Sequence, residues 1–221
     1  MSQHRILLAD DHPLFRQALR TTVESIMGEV LVLEAGNLDE TRQMAEREEV
    51  DLILLDLTMP GSRGLTGLVM LRGLFPQIAV AIVSANEDVA LMEQALTLGA
   101  AGYIPKSSSP AQLCEALRCI LGCGTWLPPQ ARRNSSASSE HQIIAERLRQ
   151  LSPQQFKVLH LLAAGYLNKQ IASELTITEP TVKTHVTAIL RKLDVRNRTQ
   201  AVLLLSKLGQ EENSGIDSLG S

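Results

Sequence analysis

Short apolar segments alternate with longer amphipathic segments over the first 120 or so residues. The apolar segments have the length and composition of buried strands, and they comprise residues 6–9, 30–33, 52–55, 80–83 and 103–104. The segments between them place apolar side chains at helical spacing, and they comprise residues 14–26, 38–48, 65–74, 89–98 and 111–121. Five strand–helix repeats predict an α/β domain with a doubly wound, five-stranded parallel sheet.

The hydrophobic pattern changes after residue 124. The next 25 or so residues contain two adjacent prolines and a serine-rich run, which is typical of a linker. From Ser152 onward the pattern is wholly helical, and it predicts four helices near residues 153–164, 168–175, 179–193 and 198–208. We therefore divide the chain into an α/β domain at 1–124, a linker at 125–150, an all-α domain at 151–209 and a flexible tail at 210–221.

Composition excludes several classes of protein. Aromatic residues make up only 3% of the 221 residues, which argues against base stacking on single-stranded nucleic acid as the main activity. The apolar runs fall far short of the roughly 20 residues that span a bilayer, and the first residues lack the pattern of a secretory leader, so we expect a cytoplasmic protein with no membrane partner. Cys114, Cys119 and Cys123 have no Cys-x-x-Cys spacing, which argues against a zinc site or a disulfide framework.

Charge is distributed unevenly along the chain, although the net charge is only −3. Residues 1–124 carry 9 basic and 16 acidic side chains, whereas residues 150–209 carry 8 basic and 3 acidic ones. An acidic first half favours a cation or a cationic protein as its partner, and a basic second half favours a polyanion.

Polar side chains follow the predicted strands of the first half. Asp10 and Asp11 end the first strand, Asp56 the third and Ser84 the fourth, and Lys106 follows the fifth. The carboxyl ends of parallel strands meet at one edge of the sheet, so these groups are expected to lie together. Clustered carboxylates need a cation, and Mg²⁺ is bound by such oxygens together with phosphate. With a lysine nearby, the site is suited to an aspartate that attacks phosphorus and becomes an acyl phosphate.

Residues 4–122 resemble a response-regulator receiver domain, which has a flavodoxin-like fold. The matching motifs are Leu8-Ala-Asp-Asp-His-Pro13, Leu54-Leu-Asp-Leu-Thr-Met-Pro-Gly61, Ser84-Ala85 and Gly102-Tyr-Ile-Pro-Lys106.

The resemblance to receivers implies a role for each site residue. Asp56 would accept the phosphoryl group, and Lys106 would contact it. The expected Mg²⁺ ligands are Asp11, Asp56 and the main-chain carbonyl of Thr58, with Asp10 assisting through water. Ser84 and Tyr103 would form a switch pair that moves inward on phosphorylation.

The second half has the pattern of a helix-turn-helix domain. Its long helix, near 179–193, places Val182, Val186, Ile189 and Leu193 on one buried stripe, so that polar side chains face elsewhere. Residues 151–209 resemble the DNA-binding domain of LuxR-type regulators through Asn168-Lys-x-Ile-Ala, Thr181-Val-Lys-x-His185 and Val195-Arg-Asn-Arg-Thr-Gln-Ala201. The resemblance implies base or groove contacts by Lys183, Thr184 and Thr187. It also implies phosphate contacts by Lys169, Lys192, Arg198 and Thr199.

Together the two resemblances indicate a response regulator of the NarL/FixJ class, which is a transcription factor rather than an enzyme. We expect a sensor histidine kinase to phosphorylate Asp56, which would unmask the DNA-reading helix and favour homodimers on double-stranded promoter DNA.

Two alternative functions remain open. One is a hydrolase with an aspartyl-phosphate intermediate, although Thr58 stands where such an enzyme typically has a second acid. The other is a phosphorylation-independent DNA-binding regulator whose receiver serves only for docking.

Overall fold

A five-stranded parallel sheet in the order β2-β1-β3-β4-β5 forms the centre of the first domain. The computed structural model describes residues 3–62, 64–131, 143–144, 146–148 and 150–207. The strands are β1 (His4–Ala9), β2 (Val30–Ala35), β3 (Leu52–Leu55), β4 (Ala79–Ser84) and β5 (Gly102–Pro105). All five predicted strands are confirmed, and the apolar segments of β1, β3, β4 and β5 are buried, whereas β2 at one edge of the sheet leaves Leu31 exposed.

Five helices cover the two faces of the sheet. They are α1 (Pro13–Met27), α2 (Leu38–Arg47), α3 (Thr66–Leu74), α4 (Val89–Thr97) and α5 (Pro110–Leu121). Local sequence fixes several of their starts. Asn37 caps α2 by accepting the Glu40 N–H, and Ser109 forms a capping box with Gln112 at the start of α5. The predicted doubly wound arrangement is therefore confirmed, with bounds that differ from the predicted ones by no more than two residues.

The strand order explains why the polar groups converge. The connection after β1 leads to β2 on one side of the sheet, whereas the connection after β3 leads to β4 on the other side. These two connections diverge and leave a crevice at the carboxyl edge of the sheet. The hydrogen bonds Asp56 N–H to Ala9 O (2.8 Å) and Lys106 N–H to Ser84 O (2.7 Å) continue the strand pairing to this edge. The first residues after β1, β3 and β5 are thus held side by side.

Four helices form the second domain, as predicted. They are α6 (Pro153–Ala163), α7 (Asn168–Glu174), α8 (Glu179–Leu193) and α9 (Arg198–Lys207). Ser152 and Gln155 make a capping box at α6, and Thr178 caps α8. The helix α8 ends at Asp194, which adopts the left-handed conformation (φ 54°) that Asp tolerates better than most residues. No helix in the described ranges is long and apolar enough to cross a membrane.

The start of the segment predicted as a linker packs against the first domain. Trp126 is 1% exposed and pairs with the edge strand β5, where its carbonyl accepts the Tyr103 N–H (3.1 Å). Residues 132–142 of this segment and the predicted tail at 210–221 lie outside the described residues. The division of the chain into domains, linker and tail therefore stays a prediction. Cys114 and Cys119 on α5 are half-buried, Cys123 just after this helix is exposed, and all three are free thiols.

The two domains contact each other through α2 and α3 on one side and α6 on the other. Phe156 lies so close to Gly73 that a Cβ atom at position 73 would be 2.4 Å from the ring. Beside it, Lys157 Nζ lies 3.3 Å from Glu46 Oε1. Buried side chains of both domains form one continuous hydrophobic cluster, so the contact is a packed interface.

Candidate functional site

Three carboxylates lie together at the carboxyl edge of the sheet. Asp10 is 2% exposed and Asp56 is 1% exposed, and Asp11 is half-buried beside them. With His12 they offer ligand atoms that all lie within 4.8 Å of one another. Buried carboxylates repel one another and lose hydration, so this arrangement needs compensating positive charge. The sequence prediction that these groups converge is confirmed.

Lys106 supplies part of that positive charge. Its Nζ lies 2.7 Å from Asp10 Oδ2 and 3.1 Å from Asp56 Oδ2, and it stands 4.6 Å from the centre of the Phe15 ring. Burial acts to lower the pKa of Lys106, but the hydrogen bonds to Asp10 and Asp56 outweigh it, and the pKa lies above its ordinary value. Lys106 is therefore a protonated cation at neutral pH, which is the state that attracts a phosphoryl group.

The two oxygens of Asp56 have different surroundings. Its Oδ2 accepts a hydrogen bond from Thr58 Oγ1 (2.9 Å) and lies beside Lys106. Its Oδ1 is buried and has no hydrogen-bond partner among the described residues. An anionic oxygen without a donor is costly to bury, and a bound cation or a covalent bond to phosphorus would remove that cost. The donor set of clustered carboxylates around this orphaned oxygen therefore fits a hard divalent ion such as Mg²⁺.

His12 was missed as a member of this cluster. Its Nδ1 lies 2.8 Å from Asp11 Oδ1 and 3.3 Å from Asp10 Oδ1, and its main-chain N–H donates to Asp10 Oδ1 (2.7 Å). The imidazole is 65% exposed, so it lies at the mouth of the site. Its position directly after the two aspartates was the available signal, because a side chain in that turn shares their edge of the sheet.

The predicted switch pair flanks the site. Ser84 is buried, and its Oγ accepts the Asn86 N–H (3.2 Å). The Tyr103 ring is fully buried and lies inward, and its hydroxyl donates to the main-chain carbonyl of Asn86 (2.7 Å). Both side chains therefore contact the same loop residue, between β4 and α4. Their movement on phosphorylation stays a prediction.

The side chains predicted to read DNA project from α8. Lys183, Thr184 and Thr187 are all exposed, while Val182 and Ile189 of the same helix are buried. In this conformation the receiver packs against α6, and the predicted unmasking of the DNA-reading helix on phosphorylation stays a prediction. Lys183 pairs only with Glu179 of its own helix (3.1 Å) among the described contacts.

The predicted phosphate contacts fall into two groups. Lys169 and Thr199 are exposed on the surface. Lys192 Nζ instead donates to Gln150 O and Gln155 Oε1, both at 2.8 Å, and Arg198 donates to the carbonyls of Leu162 and Tyr166. Lys192 and Arg198 thus hold the helical domain together, and any contact they make with DNA stays a prediction.

Family profiles match both halves of the chain. Residues 6–118 match the response regulator receiver domain, and residues 149–205 match the luxR family of bacterial regulatory proteins. The chain is 45% identical over 207 residues to the glycerol metabolism activator of Pseudomonas putida, covering 90% of this chain and 94% of that protein. It is 40% identical over 205 residues to the nitrate/nitrite response regulator protein NarP of Escherichia coli, with coverage of 90% and 93%.

A solved structure has the same domain order. This structure, of two RcsB dimers bound to two parallel DNAs, is 25% identical in sequence, with a TM-score of 0.56 over 93% of this chain and 98% of that chain. These matches are to transcription factors and not to an enzyme family, which removes the hydrolase alternative. The chain belongs to the NarL/FixJ class of two-component response regulators, which join a receiver domain to a LuxR-type helix-turn-helix DNA-binding domain.

Proposed function

We propose that Asp56 is the residue phosphorylated by a sensor histidine kinase. The observation that carries this proposal is the buried Oδ1 of Asp56, which has no hydrogen-bond partner among the described residues and lies beside two further carboxylates and a protonated lysine. Without a hydrogen-bond donor, the lone pairs of Oδ1 remain available for attack on phosphorus.

The transfer forms one bond and breaks one. Asp56 Oδ1 attacks the phosphorus of the kinase phosphohistidine, and the phosphorus–nitrogen bond breaks with its electron pair remaining on the imidazole nitrogen. Asp11, Asp56 and the Thr58 carbonyl would hold Mg²⁺, with Asp10 assisting through water. When bound, the ion neutralises charge that develops on the phosphoryl oxygens. Lys106, already held between Asp10 and Asp56, remains beside the acyl phosphate and stabilises its negative charge.

Phosphorylation is communicated through the loop after β4. The Ser84 hydroxyl exchanges the Asn86 N–H for a phosphoryl oxygen, which is a stronger, charge-assisted partner. The Tyr103 hydroxyl is hydrogen-bonded to the carbonyl of the same Asn86, so the loop and the Tyr103 ring respond together to phosphorylation. The reshaped surface favours a homodimer, and two helical domains then bind paired half-sites on promoter DNA in the cytoplasm. Lys183, Thr184 and Thr187 contact bases or the groove, and Lys169, Lys192, Arg198 and Thr199 contact phosphates.

A second candidate function is DNA binding that does not require phosphorylation. The exposure of Lys183, Thr184 and Thr187 in this conformation favours it, because no rearrangement is needed to uncover them. The two candidates differ in whether phosphate on Asp56 changes the affinity for DNA.

The test compares the wild-type protein with Asp56→Asn and Asp51→Asn. Asp51 immediately precedes β3, at the end of that strand away from the site, and its carboxylate is exposed. It is therefore a matched control for Asp56. After incubation with acetyl phosphate and Mg²⁺, intact mass spectrometry is expected to detect one phosphoryl group on the wild type and Asp51→Asn, and none on Asp56→Asn. Phosphorylation of Asp56→Asn would contradict the proposal.

Binding to promoter DNA is then measured with and without the phosphodonor. Tighter binding by the phosphorylated wild type, with no response in Asp56→Asn, supports the first candidate. Equal binding by all three proteins under both conditions supports phosphorylation-independent regulation.

A further inference from the structure

Arg16 connects the carboxylate site to strand β2. Its Nη1 donates to the main-chain carbonyl of Asp10, and its Nε donates to Glu34 Oε2 (2.8 Å). The side chain is 19% exposed, so both hydrogen bonds are partly shielded from water. One planar guanidinium thereby bridges the turn after β1 and the neighbouring strand.

The position of this carbonyl gives the contact its importance. The Asp10 carbonyl belongs to the same planar peptide unit as the Asp11 N–H, so fixing its direction fixes how Asp11 leaves the strand. The Asp10 carboxylate is held separately, by the His12 N–H (2.7 Å) and by Lys106 (2.7 Å). Without Arg16, the carboxylate of Asp10 would stay anchored while the peptide between Asp10 and Asp11 became free to rotate.

Glu34 holds the guanidinium in place. It accepts from Arg16 through Oε2 and from Arg20 through Oε1, at 2.8 and 2.9 Å. Arg20 also pairs with Glu24 and, among the described contacts, does not reach Asp10. Two arginines on α1 therefore share one carboxylate, but only Arg16 extends to the site.

We propose that Arg16 is a positioning residue for Mg²⁺ binding, because it sets the spacing between the Asp10 and Asp11 carboxylates through the peptide that joins them. This inference rests on the proposed function, in which those carboxylates help to bind the ion. Arg16 does not touch the ion or the phosphoryl group.

The test measures Mg²⁺ affinity by isothermal titration calorimetry in the full-length wild type, Arg16→Met and Arg20→Met. Methionine keeps the apolar stem and removes the donors. Loss of a group that orients metal ligands typically weakens metal affinity 10- to 100-fold. We expect the Mg²⁺ affinity of Arg16→Met to be roughly 10-fold lower than that of the wild type. Arg20→Met removes a neighbouring arginine that shares Glu34, and its affinity is expected to match the wild type.

Arg16→Lys is the second variant. Because it retains the positive charge, it serves as the test if Arg16→Met fails to fold. A single ammonium cannot reproduce the planar fork that spans Asp10 and Glu34, so Mg²⁺ binding is again expected to weaken. Thermal melting without Mg²⁺ checks that each variant is folded.

Two results overturn the inference. One is wild-type Mg²⁺ affinity in a folded Arg16 variant, and the other is an equal loss of affinity in Arg20→Met, which would indicate a general effect of the ion-pair cluster. Failure of the proposed function has a different signature. In that case the wild type binds Mg²⁺, yet mass spectrometry finds no phosphoryl group on Asp56 after acetyl phosphate treatment. A wild type that binds no Mg²⁺ overturns both.

Discussion

Glu34 is ionised more readily than an ordinary glutamate because two arginines surround it. The hydrogen bond from Arg16 is the largest cause that lowers its pKa, burial opposes this effect, and Arg20 adds to the lowering. A depressed carboxyl pKa stabilises the folded state at pH values above the unfolded pKa. That contribution is lost as the pH falls below about 4.5, through the lower pKa of the folded state.

We therefore predict that Glu34→Gln lowers the free energy of unfolding at pH 7 by up to about 1 kcal/mol, the range of partly exposed ion pairs. The difference in free energy of unfolding between the variant and the wild type should shrink as the pH falls from about 5 to about 3, which is the range around the carboxyl pKa. Urea denaturation at each pH measures it. Glu29→Gln, an exposed glutamate just before the same strand, is the control and should show no such trend. A difference that is constant with pH would contradict the assignment.

The residues of the site divide into those that sequence could predict and those that it could not. Asp10, Asp56 and Lys106 were predicted because each follows a strand, and parallel strands bring such residues to one edge. The contacts of His12 and Arg16 depend on the conformation of one turn and on a long side chain, which hydrophobic patterns do not encode. The inward position of Tyr103 likewise depends on packing that arises only in the folded domain.

At the scale of elements, helix starts were predicted well where a side chain caps them. Ser152 before Pro153 and Thr178 before α8 are such signals, and both caps are present. The behaviour of the segment around Trp126 was not predicted, because its prolines and polar neighbours are typical of linkers. This segment is held against the domain because Trp126 pairs with β5 and packs in the same buried cluster as Ile120.

The helix α8 carries the prediction that belongs to this scale. Lys183→Ala is expected to weaken binding to promoter DNA by about 1–3 kcal/mol and to relax the preference for bases at one position. The reason is that Lys183 is exposed on α8, beside the buried Val182 stripe. Fluorescence anisotropy with matched and mismatched duplexes measures both effects at a fixed salt concentration.

Arg118→Ala is the control for that experiment, because Arg118 is an exposed cation on α5 of the receiver domain. It removes the same charge from the protein and should leave affinity and base preference unchanged. If both variants lose affinity equally, the effect is one of net charge and α8 has no specific role.

At the scale of the whole molecule, the contact between the domains was beyond sequence analysis. Periodicity identifies the buried face of each helix within its own domain, but it does not say which exposed faces will meet. Gly73 on α3 and Phe156 on α6 illustrate this, since the absence of a side chain at one position makes room for a ring 83 residues later. Lys157 and Glu46 add an ion pair whose members lie 111 residues apart in sequence.

Gly73→Ala is therefore predicted to separate the two domains. The added Cβ would lie 2.4 Å from the Phe156 ring, which is too close for any real contact, so the interface must shift. Alanine also favours a helix over glycine by about 1 kcal/mol, so the receiver itself should not be destabilised. Small-angle X-ray scattering is expected to show a larger radius of gyration than in the wild type. The double variant Gly73→Ala with Phe156→Ala restores space and should return toward the wild-type value, whereas identical scattering from all three proteins would show that this contact does not hold the domains together.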